Sequence, residues 1–372
     1  MFFKGTQTRP TTKEIAEAVD NVGGEFNAFT GEEYTGYYVK AAGNHLETAG
    51  DVVADILLRP LFPDEEIERE KGVIVEEIRM YTDQPMRHIH HLWQEAQFGD
   101  HPLGRRIDGT EERVRSFGRK DFVNYTKKHY HRENAVVVVV GNFSEKEGEQ
   151  LVKKLFADLP SGKETKPKAA PKKGPVTRFL HEKRAQLDQT HMMVGVPGVS
   201  SSDPDRFAAD ILATILGGGM SSRLFISVRE RNGLAYMVRT MSDEATDTGS
   251  FVTQAGVRTD EAHKALELIL QEYDAVMNDG VTAEELAKAK EMLRGKLVLQ
   301  LEETNSIALF AGMQELLDGK IMTPVEIWKS VNAVTTQDVQ AVAKRLLDPK
   351  RRAMALLSPH SSTKRFEKLL NI

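Results

Sequence analysis

A lysine- and proline-rich segment, residues 159–175, splits this chain into two stretches that read alike. Pro160, Pro167, Pro171 and Pro175 alternate with Lys163, Lys166, Lys168, Lys172 and Lys173, with almost no apolar residue among them. Such a composition has little surface to bury and reads as an extended, solvated linker. A charged helical run recurs on either side of it. Glu65-Glu66-Ile67-Glu68-Arg69-Glu70-Lys71 in the first half stands against Glu284-Glu285-Leu286-Ala287-Lys288-Ala289-Lys290 in the second. Lys120-Asp121-Phe122 ahead of a valine run likewise stands against Gln337-Asp338-Val339 ahead of a closing apolar run. Helical stretches between strands in both halves imply two similar α+β domains, 1–158 and 176–372, joined by 159–175.

Within the halves, period-2 and three-four apolar spacing predict strands at 26–29 and 34–41 and helices at 45–58 and 86–98. Residues 136–140 are five consecutive valines, and such a run reads as a strand buried on both faces. In the second half, strands are expected at 191–196, 235–241, 249–257 and 353–357, with a flexible loop at Gly217-Gly218-Gly219. The net charge of −5 over 372 residues argues against a general nucleic-acid binder. With no cysteine, any metal must be held by His, Asp or Glu. No run of 18 apolar residues marks a membrane span, and no signal peptide is visible. A cytoplasmic location is the expectation. Met1-Phe2-Phe3 reads as the tail of a helix whose beginning is missing.

The stretch 67–81 follows Pro63-Asp64 and suits a helix with Asp64 as its cap. Positions 67, 70, 74, 77 and 81 share one face, which reads Ile, Glu, Ile, Glu, Tyr. Two carboxylates in the stripe that faces the core are costly unless a cation, a metal or strong donors compensate them. They either serve one site or lie solvated at a domain rim. The register between the halves sets Glu70 against Ala289 and Glu77 against Lys296, so only the first half keeps both acids. A second cluster is His88, His90, His91 and Glu95, of which His88, His91 and Glu95 share a helix face, and a solvated or capping role suits it better than a metal.

These features, with Phe3-Lys4-Gly5-Thr6 and with Gly217-Gly218-Gly219-Met220-Ser221-Ser222-Arg223-Leu224-Phe225 followed by Arg229 and Gly233-Leu234-Ala235-Tyr236, resemble the pitrilysin/insulinase family of inverted zinc peptidases, in its mitochondrial-processing-peptidase-like branch. The resemblance covers essentially the whole chain. It implies two homologous α/β-sandwich domains, each an antiparallel-rich sheet on helices, the first incomplete. It also implies a zinc-dependent metalloendopeptidase that cleaves peptides or presequence-like segments. In that family His-x-x-Glu-His supplies two zinc ligands and the general base, and a later Glu is the third ligand. His-x-x-Glu-His is absent here, and the family spacing places it upstream of Met1.

By the resemblance, Glu77 is the remaining Zn²⁺ ligand and Glu70 a second acid that orients a ligand histidine. Asn27, Ala28, Phe29 and Thr30 form the edge strand on which peptide substrate adds by β-augmentation. Arg229 and Tyr236 reach the substrate, with Tyr236 as oxyanion donor. The implied partners are a peptide and a related chain in a homodimer or heterodimer, with neither nucleic acid nor membrane. The chain as given is expected to be inactive, with no tightly bound zinc. The other reading is a non-catalytic peptide-binding or scaffold subunit that pairs with an active relative.

Overall fold

The computed structural model describes residues 1–163 and 174–371, so residues 164–173 of the expected linker lie outside the described residues. Along the first half come α1 (Thr12–Asp20), β1 (Glu25–Thr30), β2 (Thr35–Lys40), α2 (Leu46–Leu58), α3 (Asp64–Asp83), α4 (Pro85–Phe98), α5 (Glu111–Ser116), α6 (Arg119–His129) and α7 (Glu145–Leu155). The second half runs β3 (Phe179–Lys183), β4 (Gln189–Pro197), α8 (Arg206–Gly217), a π-helical turn Phe225–Glu230, β5 (Ala235–Glu244) and β6 (Gly249–Arg258). It continues with α9 (Ala262–Asp279), α10 (Ala283–Gln300), α11 (Thr304–Asp318), α12 (Pro324–Ala333), α13 (Thr336–Leu346), β7 (Ala353–Ser358) and α14 (Lys364–Leu369). The chain is α+β, and the order β1, β2, α2 to α6 parallels β5, β6, α9 to α13.

Two compact units emerge. One holds Met1–Arg79, Ile107–Lys168 and Gln300–Ile321, and the other Met80–Arg106, Ala169–Leu299 and Met322–Ile372. Each includes one helix from the opposite half of the sequence, α11 in the first unit and α4 in the second.

The second unit is built on a five-stranded mixed sheet of order β3-β7-β4-β6-β5, antiparallel except between β3 and β7. Its strands bury alternate residues on opposite faces. Met192, Val194, Val196, Phe251, Met354 and Leu356 meet the apolar sides of α8, α9 and α13. Met193, Val252, Ala353, Ala355 and Leu357 meet Ile89, Leu92 and Trp93 of α4. Because helices cover both faces, β4 and β6 are buried along almost their whole length and β7 throughout. Two polar groups inside this core find partners: the Trp93 indole donates to Ser250 Oγ (2.7 Å), and the Tyr273 hydroxyl donates to the Val194 carbonyl (3.1 Å).

The first unit packs α1 and α2 through Ile15, Val19, Val52 and Ile56, with Phe2, Phe3, Phe26, Tyr37 and Val39 laid against them. Thr11 and Glu14 form a reciprocal capping box that starts α1. Its sheet is the β1–β2 pair alone among the described residues. The valine run expected as a doubly buried strand is not one. Residues 136–140 fall outside every strand, with Val136 and Val137 37% and 39% exposed. Strand propensity needs a ladder partner to become a strand. In the second unit β4 pairs with both β6 and β7, whereas the described residues of the first unit contain no counterpart of β4 beside the valines.

Candidate functional site

Helix α3 forms as expected from its spacing, but its buried stripe is turned from the expected one. Ile67, Val75 and Ile78 are buried, and the last two pack on Val114 of α5. Glu70 and Glu77 are half-buried at the margin of this stripe. The expectation of two carboxylates within the buried face is thereby corrected: the β-branched and aliphatic side chains take the core, and the acids stay where water still reaches them. Glu76 is exposed and pairs with Arg79 (2.7 Å).

Glu70 meets the Lys4 ammonium at 3.0 Å, which draws the Phe3-Lys4-Gly5-Thr6 stretch to α3. The neighbours of Lys4 have equally specific roles. Gly5 adopts φ 125°, and a Cβ there would lie 2.3 Å from the Pro10 carbonyl oxygen, so only glycine fits. Thr6 is fully buried and donates to Asp55 Oδ2 (2.6 Å) on α2. Arg9 (2.8 Å) and Arg59 (2.9 Å) also bind the fully buried Asp55 carboxylate. Burial raises the Asp55 pKa, yet the hydrogen bonds from Thr6, Arg59 and Arg9 outweigh it and hold the group below the ordinary carboxylate value. Sequence reading missed this knot; an aspartate on the apolar side of α2 was the available signal.

Asn27, Ala28, Phe29 and Thr30 lie in β1, paired in order with Tyr38, Tyr37, Gly36 and Thr35 of β2. β1 has no ladder partner on its other side among the described residues, so it is an edge strand. The Phe29 ring covers Gly36, where a Cβ would come within 2.0 Å of it. This stiffens a pair that two strands alone would hold weakly.

Arg229 and Tyr236 come together in the second unit. Arg229 sits on the π-helical turn, closed by the Arg231 N–H to the Ile226 carbonyl (2.9 Å). Tyr236 sits where the β5–β6 register slips between Ala235 and Met237, which leaves it without a cross-strand partner and 75% exposed. The Arg229 guanidinium carbon lies 5.6 Å from the Tyr236 ring centroid and 4.8 Å from that of Phe225. π-Turns and bulges interrupt regular hydrogen bonding and re-aim side chains, and here the two meet on one pair. No ion pair or side-chain hydrogen bond engages the guanidinium among the described residues.

The triple glycine, expected as a flexible loop, is packed. A Cβ on Gly217 would lie 2.3 Å from the Thr240 nitrogen, and one on Gly218 2.6 Å from Thr214 Cα. Lys288 and Lys296 of α10 donate to the Ser221 (2.9 Å) and Gly218 (3.2 Å) carbonyls. Arg223 forks onto Glu285 at 2.7 and 2.8 Å, an anchor that motif reading did not single out.

The histidine face of α4 is structural. His88 is 6% exposed and bonds Glu182 of β3 at 2.7 Å, and His90 bonds Gln254 at 3.1 Å. Zinc, which the resemblance implies, does not fit the residues present. Among the described residues no group of three or more His, Asp or Glu is arranged to hold a metal, where a peptidase site needs three.

Two family models match the chain: insulinase (peptidase family M16) over residues 1–111, and the peptidase M16 inactive domain over residues 116–293. The uncharacterized zinc protease YmxG of Bacillus subtilis is 38% identical over 362 residues, covering 96% of this chain and 86% of the relative. The uncharacterized zinc protease SCO5738 of Streptomyces coelicolor is 35% identical, covering 96% and 79%. Among solved structures, a peptidase M16 inactive domain from Pseudomonas fluorescens matches with a TM-score of 0.90 at 21% identity, over 97% of this chain and 87% of the other. A protease from Helicobacter pylori (0.88, 22%, 96% and 87%) and a chain of complex III from Candida albicans (0.83, 18%, 96% and 89%) share the fold. On identity over nearly its full length, this chain belongs to the insulinase family of zinc proteases, peptidase family M16.

Proposed function

We propose that this chain is the peptide-handling part of a zinc metalloendopeptidase of the processing-peptidase type, and that it does not hydrolyse peptides by itself. Edge strand β1 takes an extended peptide by main-chain pairing, so affinity does not require a strict sequence. Arg229 holds main-chain carbonyls, and the Tyr236 hydroxyl donates to the oxygen on which charge develops. Glu77 is the one metal ligand this sequence contributes, with Glu70 orienting a histidine that this sequence lacks. The division into domains 1–158 and 176–372, a dimer with a like or related chain and a cytoplasmic setting belong to the same proposal.

The observation that carries it is the Arg229–Tyr236 pair. Two backbone irregularities present an exposed tyrosine beside a cation with unspent donors, an arrangement that packing does not require. The test is peptide binding by fluorescence anisotropy, with metal analysis and a quenched-peptide assay in parallel. Arg229→Ala should weaken peptide binding, Tyr236→Phe should leave it nearly unchanged because its donor acts on developing charge, and Glu77→Gln should leave zinc content unchanged at near zero. Stoichiometric zinc, or chelator-sensitive cleavage by this chain, would refute the proposal. The second reading is a non-catalytic subunit beside an active relative. It predicts that a related active chain gains peptidase activity when mixed with this one.

A further inference from the structure

Arg229 is a long, flexible, exposed side chain on the π-helical turn, and such a group loses rotamer freedom when it binds. Here the freedom is already restricted. Phe225 stands one helical turn before Arg229 and is half-buried, and its ring centroid lies 4.8 Å from the guanidinium carbon. Tyr236 closes the other contact at 5.6 Å. Of the two rings, Phe225 lies nearer the guanidinium and is the better shielded, so it is the fixed one. Tyr236 is 75% exposed. A guanidinium held against aromatic rings keeps its N–H edge outward, where its donors remain available.

We infer that Phe225 is a positioning residue: its ring fixes the Arg229 guanidinium beside Tyr236 so that both present their donors to a bound peptide. The peptide part of this inference rests on the proposed function above; the positioning part does not. The local geometry supports it, because Phe225 and Arg229 stand four residues apart on the same helical turn and so are neighbours on one face. A residue there for packing alone would need only apolar volume, which leucine also supplies. Aromatic character is the property the inference requires.

The experiment compares Phe225→Leu, Phe225→Tyr and Arg229→Ala in the full chain, with thermal melting to verify folding. The first readout is the Arg229 Nε–H resonance, assigned by its loss in Arg229→Ala. A neighbouring ring face shifts this signal upfield, and Phe225→Leu should move it toward the free-arginine position while Phe225→Tyr should not. The second readout is the affinity for a fluorescein-labelled unstructured peptide. Phe225→Leu should weaken it about three- to tenfold, the range a partly exposed cation–π contact supports, and Phe225→Tyr should stay within about twofold. In the Arg229→Ala background, Phe225→Leu should cost nothing further. An unchanged Nε–H signal in a folded Phe225→Leu protein overturns the positioning role, whatever happens to peptide affinity. So does a loss of affinity that persists undiminished without Arg229. If Arg229→Ala leaves affinity untouched, the proposed function fails, and the resonance alone then decides the positioning role.

Discussion

Asp210 on α8 offers a direct test of how this core handles charge. Burial raises its pKa from 3.8 to about 7; Arg206 opposes the rise and Asp243 of β5 adds to it. Arg206 is drawn elsewhere, donating to the Ser201 carbonyl and lying over the Phe207 ring. A folded pKa above the unfolded one means that the native state binds more protons between about pH 4 and 7, so stability falls as pH rises through that window. A rise from 3.8 to about 7, at 1.36 kcal/mol per unit, sets a ceiling of about 4 kcal/mol on the penalty above pH 7. Asp210 keeps some contact with water, which screens the charge and brings the expected penalty to about 2 kcal/mol. Asp210→Asn removes the charge at nearly constant volume. It should stabilise the protein by that amount at pH 8, roughly 4–8 °C in the melting of the second unit, and change little at pH 4. Urea unfolding followed by circular dichroism at both pH values measures the difference. Equal stabilities at pH 8, or the same gain at pH 4, would refute the account.

Asp55→Asn should destabilise the first unit by about 3–5 kcal/mol in urea unfolding, because it leaves Arg9 and Arg59 without their buried counter-charge. The folded pKa of Asp55 is depressed, so its stabilisation is present above about pH 4 and is lost as pH falls through the folded value; acid titration of the wild type and of Asp55→Asn should converge there. Val137→Lys should reduce concentration-dependent light scattering without shifting the melting of the second unit, since exposed valines without a ladder partner invite edge pairing. Trp93→Ala should cost about 3–5 kcal/mol by calorimetry, through its cavity and the orphaned Ser250 hydroxyl.

The sequence by itself determined most elements, because their causes are local. The Thr11–Glu14 capping box and the three-four spacing of α2 are short-range or periodic signals. It also determined the family through the Phe-Lys-Gly-Thr and glycine-rich stretches, where Gly5, Gly217 and Gly218 meet backbone too closely to admit a side chain. Tertiary structure alone decided the rest. Which face of α3 is buried depends on what packs against it, so Glu70 and Glu77 moved from the expected core stripe to its margin. Whether five valines become a strand depends on a neighbouring strand far away in sequence, and none stands beside 136–140 among the described residues. That α4 covers the sheet of the second unit was invisible for the same reason. Its apolar stripe declares a buried face, but the partner of that face is set by long-range packing, which no local pattern encodes.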